Sequence, residues 1–222
     1  MPNPFKAYRP QYWDREYRRS LYEGFFLVVV AITIHVFAGR YSSSIALNAN
    51  PASDLFLEHL PLYNLDFLIV GGAIILWTLA FWLLAIKPRA LLFGIKAFAL
   101  FVITRAFFFS LTRIGPYPTG FVPGPNNLGW GLYHFFGFQG NFFFSGHTAF
   151  PFLMALILWD DDLWRPFFLA MTVVFGAIML LAHEHYSIDV FAAPFIIYGV
   201  FHIARKLFPK DYALLTEDKV TA

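Results

Sequence analysis

The feature that most restricts this chain is a series of six apolar stretches, each close to the roughly 20 residues a helix needs to cross a bilayer. They run about Leu21–Ala38, Phe67–Ile86, Ala90–Leu111, Phe142–Trp159, Pro166–Ala182 and Ile188–Phe208. No linker separates them into two units, so one membrane domain is expected over residues 21–208. Residues 1–20 are expected to form a cytoplasmic N-terminal segment and residues 209–222 a cytoplasmic tail. Composition agrees: 59% of the 222 residues are hydrophobic and only 14% charged, whereas a soluble domain carries about 25% charge. An isolated strand would leave backbone groups unpaired in lipid, so the spans read as helices. Ten-residue alternating segments that would suggest a barrel are absent from the sequence. The expected fold is all-α, a polytopic bundle of six transmembrane helices.

Charge placement orients the bundle. With the N-terminus inside, 12 of the 16 Lys and Arg fall on cytoplasmic segments, and Arg40 and Arg113 fall on the other side. Lys96 and Arg105 lie within the third span. This bias predicts that both termini are cytoplasmic. The first twenty residues are charged and irregular, with no short apolar core, so no removable leader is expected. A net charge of +2 gives no reason to expect a nucleic-acid partner, and the lack of cysteine rules out thiolate chemistry and Cys-ligated zinc.

Two connecting segments carry more than connection. Residues 48–66 contain the acids Asp54 and Glu58. Residues 113–140 are rich in Gly, Pro and aromatics, among them Tyr117, Trp130 and Tyr133, which suits a surface at the membrane interface.

The chemistry gathers in two short motifs. Ser145-Gly146-His147-Thr148 stands at the entrance to the fourth span. Ser caps helices well, Gly admits a ligand close to the backbone, and a helix N-terminus suits phosphate; His147 would stand beside that phosphate. The plainer alternative is a capping Ser with an incidental His. The second motif is His183-Glu184-His185-Tyr186-Ser187-Ile188-Asp189. His185 and Asp189 are four apart and share a helix face. A carboxylate on one ring nitrogen fixes the tautomer and leaves the other nitrogen free as nucleophile or base. A metal site built on His183 and His185 is a rival reading, although residues i and i+2 do not share a helix face. The expected topology brings both motifs, Arg105 and Arg113 to the extracytoplasmic face.

These residues resemble the type 2 phosphatidic acid phosphatase (PAP2) superfamily, and within it the sphingomyelin synthase branch. Gly140-Asn141-x-x-x-Ser145-Gly146-His147-Thr148 is similar to that branch's Gly-Asp-x-x-x-Ser-Gly-His-Thr. Ala182-His183-Glu184-His185-Tyr186-Ser187-Ile188-Asp189-Val190 is similar to its Ala-His-Glu-His-Tyr-Thr-Ile-Asp-Val. Arg105, Thr112 and Leu60-Pro61-Leu62 match more loosely. The resemblance implies a metal-free, cofactor-free PAP2-like bundle. It also implies transfer of a phospholipid head group to a lipid hydroxyl or to water through a phospho-histidine. In that scheme His185 is the nucleophile, Asp189 orients it, and His147 is the general acid and base. Arg105, Arg113, Asn141, Ser145, Gly146, Glu184, Tyr186, Trp130 and Tyr133 would bind the substrate. Alternatives are a lipid phosphate phosphatase acting on a phosphomonoester or pyrophosphate, and a lipid-binding or transport protein. The chain departs from the pattern in three places: the superfamily's Arg-Pro motif is missing, Met179 stands where an Arg precedes the nucleophile, and Asn141 replaces an Asp.

Overall fold

The computed structural model describes residues 14–46, 48–120 and 142–217. Asn141, Trp130 and Tyr133 lie outside the described residues. The elements in order are α1 (Arg15–Ala46), a π-helical turn (Phe67–Gly72) continuing into α2 (Ala73–Ile86), and α3 (Pro88–Leu111). They are followed by α4 (Gly146–Ile157), α5 (Trp164–Leu181), α6 (Ser187–Leu207) and α7 (Pro209–Thr216).

Among the described residues, five segments are long and apolar enough to cross a membrane: Arg15–Ala46, Phe67–Ile86, Pro88–Leu111, Trp164–Leu181 and Ser187–Leu207. The fourth apolar stretch departs from expectation. Its helix is only 12 residues, about 18 Å at 1.5 Å per residue, well short of a hydrocarbon core of about 30 Å. Residues 142–145 form bends rather than helix, and a backbone turn ends the helix at Leu158. What the helix lacks in length it compensates in burial, since all its residues except His147 and Phe152 are buried. Phe150, Leu153 and Met154 lie in the main apolar core with Phe93, Phe101 and Phe168. A helix sheathed by protein does not have to match the thickness of lipid around it.

Polar anchors mark the two ends of the bundle. At one end the Lys87 ammonium, between α2 and α3, reaches Asp161, between α4 and α5, at 2.7 Å. The Tyr17 hydroxyl donates to the Pro88 carbonyl nearby at 3.0 Å. At the other end Arg105 in α3, Ser145 ahead of α4, and Asp189 in α6 come together, as detailed below. The segment from Ser145 to Asp161 therefore passes through the interior from one end to the other, antiparallel to α3 and α5.

Lys96, unexplained by sequence, has a clear role. It is 4% exposed, and its ammonium donates to Asp211 of α7 at 2.7 Å and to the Ser20 hydroxyl of α1 at 2.8 Å. Ser20 donates in turn to Asp211 at 2.6 Å. A buried charge needs a partner and saturated hydrogen bonds, and α7 folds back to supply them.

Candidate active site

The site grows from three backbone features. Ser145, in extended conformation, starts α4, and its Oγ accepts from the Thr148 N–H at 3.4 Å. The Ser145 N–H donates to the Asp189 carbonyl at 2.9 Å, which joins the two sequence motifs directly. Ahead of it, Phe144 has a φ of 33°, a conformation that costs a β-substituted residue energy and recurs at functional sites. Its carbonyl accepts from Arg105 Nε at 3.4 Å, so the kink and the arginine are coupled.

Gly146 is required for close approach. A Cβ there would lie 3.1 Å from Arg105 Nε and 3.3 Å from its Cζ. The guanidinium thus rests against the first turn of α4, where backbone N–H groups have no acceptor within the helix. Positive charge and helix N-terminus converge on one spot, an arrangement suited to an anion.

His185 and Asp189 meet as their spacing predicts. His185 Nδ1 donates to Asp189 Oδ2 at 3.1 Å, and both side chains are buried. That bond places the proton on Nδ1 and leaves Nε2 with a lone pair. His147 stacks on Phe175 of α5, with ring centroids 6.0 Å apart and planes 19° from parallel. Its electrostatic neighbours are His185, Arg105 and the carbonyl of Ile69 in the π-helical turn. Both histidines, Asp189 and Arg105 therefore occupy one site built by α3, α4, α5 and α6.

Other expected site residues have different surroundings. Tyr186 is buried, and its hydroxyl accepts from the Ala52 N–H at 3.1 Å and donates to the Gly115 carbonyl at 2.8 Å. Its hydroxyl is committed to holding two loops rather than facing a ligand. Burial, foremost, pushes its phenol above the usual tyrosine range. Arg113 is exposed beyond the end of α3. Glu184 is half-buried, its N–H donating to the Met179 carbonyl at 3.0 Å. His183 takes φ 51°. Its Nδ1 pairs with the Thr119 hydroxyl, and its Nε2 reaches the Leu60 carbonyl at 3.2 Å. Both ring nitrogens are engaged within the protein.

Sequence reasoning passed over two contributors, Phe175 and Ile69, and named Asp54 without a role. Phe175 walls His147, Ile69 presents its carbonyl to it, and Asp54 holds the start of α6 (Ser187 N–H to Asp54 Oδ2, 2.6 Å). Nothing local to residues 54, 69 or 175 reports a partner so far away in the chain. The Gly71-Gly72 pair was the one available signal, since Gly72 lets Phe175 pack against the π-helical turn.

The fold and this site define a helical integral membrane protein with a paired-histidine centre at one end of its bundle. Residues 140–206 match the family model of the PAP2 superfamily C-terminal domain, a stretch that holds both histidine motifs. The match covers under a third of the chain, so what it shows is a similarity of this stretch to the PAP2 superfamily. No curated protein and no solved structure matches the chain.

Proposed function

We propose that the chain is a sphingomyelin-synthase-like lipid phosphotransferase or phosphodiesterase working at the extracytoplasmic leaflet. The observation that carries this reading is the His185–Asp189 pair, 3.1 Å apart, beside a helix N-terminus that holds His147 and against which Arg105 of α3 rests. In the first step His185 Nε2 attacks phosphorus, a P–N bond forms, and the P–O bond to the lipid breaks. His147 gives its proton to the departing alkoxide. In the second step an acceptor hydroxyl, of a lipid or of water, loses its proton to His147 and attacks phosphorus, and the P–N bond breaks. Asp189 keeps the His185 tautomer and stabilises the positive charge that develops on the ring. Arg105 and the first amides of α4 receive the charge on the non-bridging oxygens. The family scheme assigns the chemistry to these side chains alone.

The substrate is a membrane phospholipid. Rings of the 113–140 segment, Tyr117, Trp130 and Tyr133, suit a quaternary ammonium, which gains about 0.5–2 kcal/mol over an aromatic face; we therefore place choline ahead of ethanolamine. The test is incubation of purified protein with defined phosphatidylcholine, phosphatidylethanolamine and a lipid phosphomonoester, with and without ceramide or diacylglycerol. Mass spectrometry then follows head groups lost and gained. Transfer to a lipid hydroxyl supports the synthase-like reading, whereas release of inorganic phosphate from the monoester alone would replace it with a lipid phosphate phosphatase. No turnover of any ester would refute both and return the lipid-binding or transport alternative.

A further inference from the structure

Asp54 lies in the 48–66 connection, far in sequence from either histidine motif, yet it is 6% exposed. One carboxylate oxygen, Oδ1, accepts from the N–H groups of Phe56 and Leu57 at 3.0 and 3.1 Å. The other, Oδ2, accepts from the Ser187 N–H at 2.6 Å. A buried carboxylate that takes amides of its own loop on one oxygen and an amide of a remote helix start on the other acts as a clamp between the two.

The position of Ser187 gives that clamp its significance. It is the first residue of α6 and stands midway between His185 and Asp189. Tyr186, the residue ahead of α6, supplies no side-chain cap, since capping needs the short polar side chain of a Ser, Thr, Asp or Asn. Asp54 provides the missing cap from outside. The turn continues with the Asp189 N–H on the Tyr186 carbonyl at 3.0 Å, so the geometry fixed at Ser187 passes within one turn to the catalytic carboxylate.

We propose that Asp54 is a positioning residue for the His185–Asp189 dyad. It holds the start of α6 so that Asp189 Oδ2 meets His185 Nδ1, and its loss degrades the rate of the chemical step rather than the affinity for lipid. The proposal rests on the phosphoryl-transfer reading given above.

The test compares wild type, Asp54→Asn and Asp54→Ala in lipid nanodiscs, with kcat and KM read well below the thermal transition. The asparagine retains one acceptor oxygen and cannot serve both sets of amides, and it stands in should the alanine variant fail to fold. The expected result is a fall in kcat of about 10–10²-fold, with KM within about threefold, as a small misplacement of reacting groups produces. In an Asp189→Asn background, assayed with an activated ester, the same change should cost less than about threefold, since the dyad it supports is already broken. A lowered Tm with unchanged kcat overturns the proposal and leaves Asp54 as a cap. An equal loss in the Asp189→Asn background overturns it too. Hydrogen exchange across Glu184–Val190 reads the clamp without turnover. Faster exchange there in Asp54→Asn, with α3 unaffected, supports it, and unchanged exchange overturns it. If wild-type protein turns over no ester, the phosphoryl-transfer reading fails by itself while the exchange result still decides the clamp.

Discussion

The Ser145 N–H donates to the backbone carbonyl of Asp189 at 2.9 Å, so the two motifs that carry the site are one hydrogen bond apart. This bond fixes the start of α4 against the start of α6, and with it His147 against His185. The two histidines can then divide the work of one displacement, which gives a kinetic expectation. His185→Ala should abolish turnover with any leaving group, because the proposed nucleophile is gone. His147→Ala should slow a natural lipid ester by about 10²–10⁴-fold, the usual worth of a general acid. An ester with a good leaving group should recover much of that rate in His147→Ala and none in His185→Ala. Equal recovery in both variants would show the roles to be misassigned.

Gly146→Ala tests the contact between Arg105 and the first turn of α4. The added methyl meets the guanidinium end of a flexible side chain at 3.1–3.3 Å, so the arginine yields by a few tenths of an ångström and the fold persists. The expected outcome is a Tm close to wild type with kcat/KM lowered by up to about 10²-fold, since catalytic groups tolerate little displacement. An unchanged kcat/KM would remove Arg105 from the phosphate site.

At the other end of the bundle the Lys96–Asp211 pair should control stability. Removing one member of a buried pair leaves an uncompensated charge and costs about 3–5 kcal/mol, whereas replacing both with apolar residues is often neutral. Asp211→Ala should therefore lower the Tm sharply, and Lys96→Met with Asp211→Leu should restore most of it. A mild effect of Asp211→Ala, measured by thermal unfolding in detergent, that persists in a Glu23→Gln background would contradict this expectation, since Glu23 also lies 3.4 Å from the Lys96 ammonium.

Two loop carboxylates give an acid-side expectation. Burial alone would raise Asp54, but amide hydrogen bonds from Ser187, Leu57 and Phe56 outweigh it and hold the carboxyl below its usual range. Burial likewise opposes ionisation of Asp161, and the Lys87 hydrogen bond reverses that. A depressed folded-state pKa contributes stability above the ordinary value of 3.8 and loses it as pH falls through the depressed one. Wild-type stability should thus decline below about pH 4, more shallowly in Asp161→Asn. Identical pH profiles would show that the Lys87–Asp161 contact carries no linkage.

Sidedness can be read without an activity assay. The natural chain has no cysteine, so a single Asn126→Cys substitution gives one reporter in the 113–140 segment. The charge bias predicts that an impermeant maleimide labels it in intact cells. Labelling only after lysis would invert the proposed orientation and move the active site to the cytoplasmic leaflet.

By itself the sequence determined everything set by short range and by the solvent. Long apolar runs with few charges leave helices in a membrane as the available solution, and the boundaries of α3, α5 and α6 fell within two residues of expectation. The spacing of His185 and Asp189 is one helical turn, so their contact is a local property that the chain encodes directly. The Ser145 cap is local in the same sense. The meeting of the two motifs was expected from topology, but its bond, Ser145 to Asp189, belongs to the tertiary structure. So do the contacts of Arg105 with Phe144 and Gly146, the phenylalanine wall beside His147, and the π-helical turn that brings up Ile69. Asp54 shows the reason most clearly. A carboxylate in a loop has many amides it can accept from, and only the packing of α6 against the 48–66 segment selects Ser187. The short α4 follows the same logic, because hydropathy registers an apolar stretch without reporting whether lipid or protein surrounds it.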